Sequence, residues 1–151
     1  MSIELRAALP GDDARLREIY LAATMSSYGR ELTWLEAILR DPATPLEPAD
    51  WTVIAERAKT ALGYAAVTGS HLENLYIDPP AQGQGVGAVL LAEVEARIGA
   101  RFGVVTLRCL HANRDARRFY DRHGYAVRET QTILLHGRPL EAWLMEKPFA
   151  R

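Results

Sequence analysis

Several features that often decide the class of a protein are scarce or missing in this sequence. The chain has one cysteine, Cys109, among 151 residues, so no intramolecular disulfide bond can form, which is compatible with a reducing compartment. The formal net charge is −1, and without a basic excess we expect no general binding to nucleic acids or acidic membranes. No apolar run approaches the roughly 20 residues that span a bilayer. Residues 1–6 lack the basic segment and apolar run of a signal peptide. We therefore expect a cytoplasmic protein that binds neither nucleic acid nor membrane.

The residues that are present are those of an ordinary globular protein. Apolar residues make up 48% of the chain and charged residues 25%, and the length suits one domain with a real core. No internal repeat or linker divides the sequence, so we expect residues 1–151 to form a single domain. Periodicity predicts helices over about 13–27, 31–40, 86–98 and 114–123, and strands over about 3–8, 51–56, 61–67, 71–78, 103–110, 125–135 and 140–146.

The most informative segment is a glycine loop, Gln82–Gly87, between an apolar run that stops at Asp78 and an amphipathic helix. Glycines let a backbone approach a ligand closely, and the free N–H groups of a helix N-terminus bind anions. No Gly-Lys-Ser/Thr follows, which argues against a nucleotide P-loop. The loose dinucleotide pattern G-x-G-x-x-G/A is met, but the loop is separated from its strand and residues 103–110 carry no acid. A loop that binds nothing is disfavoured, because three alternate glycines are costly without a close approach.

A second motif lies downstream and gives the loop a context. Residues 113–120 read Asn-Arg-Asp-Ala-Arg-Arg-Phe-Tyr, and Gly124 and Tyr125 follow. With Gln82-x-x-Gly85-x-Gly87, this pair resembles the two signatures of the GNAT superfamily of acetyl-CoA-dependent N-acetyltransferases, Q/R-x-x-G-x-G/A and N-x-x-A-x-x-F-Y…G-F/Y. The resemblance implies an α/β (α+β) fold with a mixed, mostly antiparallel central sheet of about six to seven strands and about four flanking helices.

The resemblance also implies how acetyl-CoA, the expected co-substrate, is held. The backbone of the glycine loop and the helix behind it would bind the pyrophosphate, and the pantetheine arm would lie along the preceding strand like an added strand. Asn113 would contact the cofactor and cap its own helix. No metal ion is expected. The predicted cofactor-binding residues are Leu75, Tyr76, Ile77, Gln82, Gly83, Gln84, Gly85, Val86, Gly87, Ala88, Asn113, Ala116 and Tyr120.

Three residues are candidates for the chemistry. Tyr120 matches the family tyrosine that donates a proton to the departing CoA thiolate, although its spacing alone favours a core residue of a helix. Many family members carry a glutamate at the start of the fourth strand, where this chain has His71; Glu73 is two residues further on. A strand period of two would put His71, Glu73 and Leu75 on one face. Glu73, His71 or an ordered water chain could each remove the proton from the attacking amine.

The predicted function is transfer of an acetyl group from acetyl-CoA to a primary amine of a small molecule or peptide by direct attack. The alternative is a non-catalytic acyl-CoA-binding module that acts as a sensor or binds a partner. Residues 13–40, the proline-containing loop 41–50 and the hairpin near 136–140 would set the acceptor, with Glu36, Glu73 and Glu141 as partners for a cationic amine. A homodimer is also expected, because the C-terminal strands often mediate dimers in the resembling family.

Overall fold

A computed structural model describes residues 2–150 and contains a seven-stranded sheet. The strands are β1 (Glu4–Ala7), β2 (Trp51–Arg57), β3 (Thr60–Thr68), β4 (His71–Ile77), β5 (Val104–Leu110), β6 (Ala126–Leu135) and β7 (Arg138–Pro148). The helices are α1 (Asp13–Tyr28), α2 (Leu35–Arg40), α3 (Val86–Val94), α4 (Ala100–Phe102) and α5 (Arg114–Arg122). A π-helical turn, Glu95–Gly99, joins α3 to α4, so that these form one helical segment.

The sheet has the strand order β1-β2-β3-β4-β5-β7-β6. All neighbouring strands are antiparallel except β4 and β5, which are parallel and confirm a mixed, mostly antiparallel sheet. The β4–β5 ladder contains only the pairs His71–Thr106 and Leu72–Leu107. Beyond Leu72 the two strands diverge, and the rest of β4 pairs only with β3. The edge of β4 that faces β5 is therefore open in the middle of the sheet.

Helices cover both faces of the sheet. The apolar stripe of α3 packs with Val53 and Ala55 of β2, whereas Leu16 and Ile19 of α1 pack with Ile54 between them. Because consecutive residues of a strand point to opposite faces, α3 and α1 lie on opposite sides. Burial of both faces explains why β3 is a nearly continuous apolar run in the sequence.

A β-bulge at Glu73 changes the alternation of β4. Asn74 pairs with Ala66 of β3, but Leu72 pairs with the next residue along β3, so Glu73 is an extra residue without a partner. Leu72 and Leu75 consequently pack in the same core cluster, on the face covered by α3. The prediction that His71, Glu73 and Leu75 share one face is wrong, because His71 and Leu75 lie on opposite faces.

Two boundaries also differ from those predicted. Helix α2 begins at Leu35 and not near residue 31, because the chain between α1 and α2 forms turns in which the Leu32 N–H donates to the Tyr28 carbonyl (2.9 Å) and the Leu35 N–H to the Leu32 carbonyl (3.0 Å). Strand β7 exceeds the predicted 140–146 at both ends, because it pairs with β5 on one side and β6 on the other. Within residues 2–150, no helix is long and apolar enough to cross a membrane.

Candidate functional site

Two cavities flank the opening between β4 and β5. The glycine-loop cavity, about 520 Å³ in volume, is bounded by the end of β4, the glycine loop and α5. The hairpin cavity, about 300 Å³ in volume, is bounded by the start of β4, the end of β5 and residues 133–135 of β6. The residues that line both cavities are Leu75, Tyr76, Asn113, Ala116 and Tyr120.

The glycine-loop cavity brings together the residues predicted to bind the cofactor, with the exception of Gln84. Its lining contains Leu75, Tyr76, Ile77, Gln82, Gly83, Gly85, Val86, Gly87, Ala88, Asn113, Ala116 and Tyr120. Gln84 lies on the outside of the loop, where its side chain accepts a hydrogen bond from Arg57 Nη1 (2.8 Å) and donates to the Pro80 carbonyl (3.2 Å). Gln82 donates to the Ile77 carbonyl (3.2 Å), so Gln82 fixes the loop to the end of β4, whereas Gln84 connects it to Pro80 and to Arg57 of β2.

The backbone of this loop has the geometry of an anion cradle. Gly83 and Gly85 have φ angles of +78° and +84°, which residues with a side chain adopt rarely. The first helical hydrogen bond of α3 runs from the Val89 N–H to the Gly85 carbonyl (3.1 Å), and no side chain caps the helix. The N–H groups of Val86, Gly87 and Ala88 therefore have no acceptor within the helix, and these three residues line the cavity. Such a backbone site suits an anionic group, and two basic residues, Arg122 and His123, line the same cavity.

Asn113 stands at the start of α5, where it has the capping role expected from the sequence. Its side-chain oxygen accepts a hydrogen bond from the Ala116 N–H (3.1 Å). The same residue lines both cavities. Capping of α5 and contact with a ligand are therefore compatible at this position.

Tyr120 of α5 lies between the two cavities and is 8% exposed. Its ring packs edge-on against Tyr125, with ring centres 5.8 Å apart, and within residues 2–150 no hydrogen bond engages its hydroxyl. Burial, and to a smaller extent the neighbouring Cys109, raises the pKa of Tyr120 above its ordinary value. The phenol is therefore protonated at neutral pH and can donate a hydrogen bond or a proton to either cavity.

The hairpin cavity carries the candidate bases. His71 and Glu73 both line it, although they are not on the single strand face that the sequence predicted. His71 Nδ1 lies 2.8 Å from Thr106 Oγ1, its partner across the β4–β5 ladder. Burial lowers the pKa of His71, Arg108 lowers it further, and the charge of Glu73 acts in the opposite direction. The imidazole is consequently neutral at pH 7 and able to accept a proton.

Sequence reasoning named Tyr28 as a candidate wall of the acceptor pocket but missed Glu47 and Tyr20, which also line the hairpin cavity. Glu47, from the loop 41–50, reaches its rim, and Tyr20 and Tyr28 of α1 form an aromatic wall with Tyr76. The rings of Tyr20 and Tyr76 are stacked, with centres 4.8 Å apart and planes 11° from parallel. Tyr20 falls on the apolar stripe of α1 and looks like a core residue, whereas Glu47 lies between prolines without any periodic pattern. Only their meeting in three dimensions identifies them.

The other acidic residues proposed for the acceptor do not line either cavity. Glu36 is exposed and pairs with Arg40 on α2 (3.4 Å). Glu141 accepts a hydrogen bond from Thr132 across the β6–β7 ladder. Glu47 and Glu73 are the acidic side chains that line the hairpin cavity.

Cys109 also lines the hairpin cavity but is 3% exposed. Burial raises its pKa to about 11, so that it is a neutral thiol and a poor nucleophile at neutral pH. Among the residues that the structure describes, no three His, Cys, Asp or Glu side chains are arranged to hold a metal ion.

Known proteins resemble this chain in sequence and in architecture. The family model described as an acetyltransferase (GNAT) domain matches residues 26–136. The chain is 30% identical to the peptidyl-lysine N-acetyltransferase YjaB of Salmonella typhimurium over 107 residues, which cover 70% of this chain and 68% of that protein. It is 33% identical to the blasticidin-S acetyltransferase of Streptomyces morookaense over 99 residues, which cover 62% of this chain and 73% of that protein.

A solved structure extends the likeness over nearly the whole chain. The GCN5-related N-acetyltransferase from Rhodopseudomonas palustris superimposes with a TM-score of 0.82 and 28% identity, covering 99% of this chain and 97% of that one. The residues 26–136 that match the family model include the glycine loop and every residue that belongs to the lining of both cavities. The chain therefore belongs to the GNAT acetyltransferase family and is an acyl-CoA N-acetyltransferase.

Proposed function

We propose that this protein transfers the acetyl group of acetyl-CoA to a primary amine of a small molecule or peptide, by direct attack of the amine. The observation that carries the proposal is that the two cavities meet at one proton donor, Tyr120. An acyl donor in the glycine-loop cavity and an amine in the hairpin cavity would be held together beside it, which removes most of the entropic barrier to their reaction. The names of the two relatives, one for a peptidyl lysine and one for blasticidin S, support this breadth of acceptor class.

The glycine-loop cavity would hold acetyl-CoA. The positive-φ glycines and the free N–H groups at the start of α3 would bind the pyrophosphate. The open edge of β4 beyond Leu72 would pair with the amide groups of the pantetheine arm, as an added strand does. Acetyl-CoA supplies the acetyl group as a thioester, whose carbon–sulfur bond breaks as the new carbon–nitrogen bond forms.

The hairpin cavity would remove the proton that the amine carries at neutral pH. Glu73 and His71 both line this cavity, and an ordered water could join either of them to the amine. The bulge supports Glu73, because an extra residue in a strand turns a side chain out of the regular alternation. The lowered pKa of His71 supports it as a second acceptor, because its imidazole is neutral before the amine arrives.

Tyr120 would act on the leaving group. Its hydroxyl would donate a proton to the CoA sulfur as the thioester breaks. Burial raises the pKa of this phenol and so keeps it protonated until the thiolate forms. The proton taken from the amine and the proton given to the sulfur would thus be handled by different side chains on the two sides of the opening.

An acetyl-transfer assay with the purified chain tests the proposal. Acetyl-CoA is incubated with a panel of amines (polyamines, amino acids, amine-containing antibiotics, and peptides with a free N-terminus or lysine), and both free CoA thiol and acetylated product are measured. We expect product with at least one amine, in a one-to-one ratio with CoA. Binding of acetyl-CoA without transfer to any amine would contradict the enzyme and favour the non-catalytic acyl-CoA-binding module.

We further propose that residues 1–151 work as one domain, in the cytoplasm, as a homodimer. The position of β6 supports the dimer, because it is the edge strand of the sheet and exposes Val127 and Leu134. Sedimentation equilibrium is expected to give twice the mass of the chain. A monomer mass across the concentration range would remove the dimer from the proposal and leave the catalytic part untouched.

A further inference from the structure

A third cavity, about 420 Å³ in volume, lies beside the hairpin cavity. It is enclosed by the first turns of α1, the loop 41–50 and the face of β2–β4 that α1 covers. We call it the distal cavity. Glu47 and Asn74 line both the distal and the hairpin cavity, so the two cavities adjoin at these side chains.

The distal cavity contains polar groups that lack partners. Asn74 is 7% exposed, and within residues 2–150 no hydrogen bond engages its side-chain amide. Tyr64, which also lines this cavity, is 2% exposed, and its buried hydroxyl has no partner. Buried polar groups are normally hydrogen-bonded, because leaving them unsatisfied destabilises the protein. The Tyr64 hydroxyl is such a buried group, and the Asn74 amide on the same cavity is a second polar group that can bind a ligand.

The charges around the distal cavity favour a cation. Glu47 lies on its exposed rim and forms no ion pair within residues 2–150. Packing around its carboxylate, and then the nearby charge of Glu73, raises the pKa of Glu47. Arg17 lines the cavity but its guanidinium already donates to the Asp41 and Thr44 carbonyls, and Asp13 adds a second carboxylate. A ligand that brings positive charge would relieve the repulsion between Glu47 and Glu73.

We propose that the distal cavity is a subsite of the acceptor site that binds a second cationic group of the acceptor, through Glu47, Asn74 and Tyr64. The inference rests on the proposed function, because the reacting amine occupies the neighbouring hairpin cavity. The acceptor is then an extended dication. Its reacting amine lies beside Glu73 and His71, and its far ammonium or guanidinium group lies beyond Glu47. An ammonium group has only donors, which match the carboxylate of Glu47, the amide oxygen of Asn74 and the hydroxyl oxygen of Tyr64.

Calorimetric titration of the wild-type protein tests this subsite without requiring turnover. The probes are α,ω-diaminoalkanes of increasing length, each compared with the alkylamine and the amino alcohol of the same length. We expect one length of diamine to bind about tenfold more tightly than the alkylamine and the amino alcohol of the same length. Only the diamine adds a charge-assisted contact at the far end. Equal affinity of the diamine and the alkylamine at every length would overturn the proposal. Equal affinity of the diamine and the amino alcohol at every length would overturn the proposal that the far group must be a cation.

Two isosteric variants locate the second charge. Glu47→Gln should abolish the preference for the diamine, whereas Glu36→Gln, on exposed α2 and outside the three cavities, should retain it. Tyr64→Phe should reduce the preference about threefold, through the lost hydroxyl. A diamine preference that survives Glu47→Gln would place the second charge elsewhere and overturn the proposal.

Transfer kinetics keep this inference distinct from the proposed function. Tight diamine binding without acetyl transfer to any amine would contradict the proposed function and leave the subsite standing. Transfer to diamines and alkylamines with the same kcat/KM and the same Kd would overturn the subsite and leave the proposed function standing.

Discussion

The two cavities that meet at Tyr120 are built in different ways. The anion cradle of the glycine-loop cavity is backbone: two glycines with positive φ and the free N–H groups of α3, beside the open edge of β4. Polar side chains such as Asn113, Tyr120 and Arg122 line the rest of that cavity. The polar part of the hairpin cavity is made of side chains from α1, the loop 41–50, β4 and β5. A backbone cradle needs only a short contiguous motif, whereas a side-chain cavity needs residues that are far apart in the chain. A contiguous motif therefore predicts the glycine-loop cavity, which is the donor side of the site. No contiguous motif predicts the hairpin cavity, which is the acceptor side.

The largest expected effect comes from the residue that belongs to both cavities. Tyr120→Phe should lower kcat about 10- to 1000-fold, because the leaving thiolate loses its proton donor. The KM for acetyl-CoA should change little, since the ring that lines both cavities is retained. Steady-state kinetics with acetyl-CoA and the best amine of the panel measure both quantities.

Tyr125→Phe is the matched control for this substitution. The Tyr125 hydroxyl donates to Glu95 (2.8 Å) outside both cavities, so its loss should reduce stability while turnover is kept. Unchanged kcat in Tyr120→Phe would remove Tyr120 from the mechanism. The two cavities would then meet at a packing residue only.

The features that could be predicted from the sequence are those encoded within a single element or a short contiguous segment. The order of strands and helices follows from periodicities within single elements, such as the apolar stripe of α3 and the nearly apolar run of β5. The glycine loop and the segment from Asn113 to Tyr120 are contiguous, and their resemblance to one family gave the family that the comparisons show. The roles predicted for the individual residues stay predictions.

What could not be predicted depends on contacts between distant segments. The bulge at Glu73 is one extra residue relative to β3, and nothing within β4 itself marks it. The divergence of β4 from β5 after Leu72 is likewise a property of the pair. Glu47 joins the acceptor side only because the loop 41–50 folds over the sheet. Each of these features shapes the side of the molecule that is made of side chains.

On the acceptor side, the next largest effect is expected at the two candidate bases of the hairpin cavity, Glu73 and His71. Glu73→Gln should lower kcat/KM for the amine about 10- to 100-fold, because the amine loses its proton acceptor. The KM for acetyl-CoA should stay unchanged, since Glu73 does not line the glycine-loop cavity. His71→Gln is the paired variant. If both variants keep kcat/KM within about twofold, neither side chain is the base and a water chain must serve.

The pH dependence of kcat/KM distinguishes His71 from Glu73 as the proton acceptor. Because the pKa of His71 is lowered, its neutral form persists to a lower pH than that of free histidine. If His71 accepts the proton, kcat/KM should fall only below the ordinary histidine pKa of about 6.5. That acid limb should be present in Glu73→Gln and absent in His71→Gln. An acid limb that survives His71→Gln would assign the proton to another group.

The smallest expected effect tests whether the donor side truly depends on backbone geometry. At Gly85, with φ +84°, an added methyl would meet no atom within 4 Å, so Gly85→Ala introduces conformational strain without a clash. The exposed loop can release that strain by moving to negative φ, which turns the N–H groups of the cradle away, and binding must then reverse the change. A cost of about 1–2 kcal/mol corresponds to roughly a tenfold higher Kd for acetyl-CoA.

Gly69→Ala is the control, because Gly69 has φ +57° and equally open surroundings in the β3–β4 turn but does not line the cavity. It should lose stability and keep its Kd. Equal Kd values in Gly85→Ala and the wild type would mean that the cradle does not need its glycine conformation, and the donor side would then depend on side chains as much as the acceptor side does.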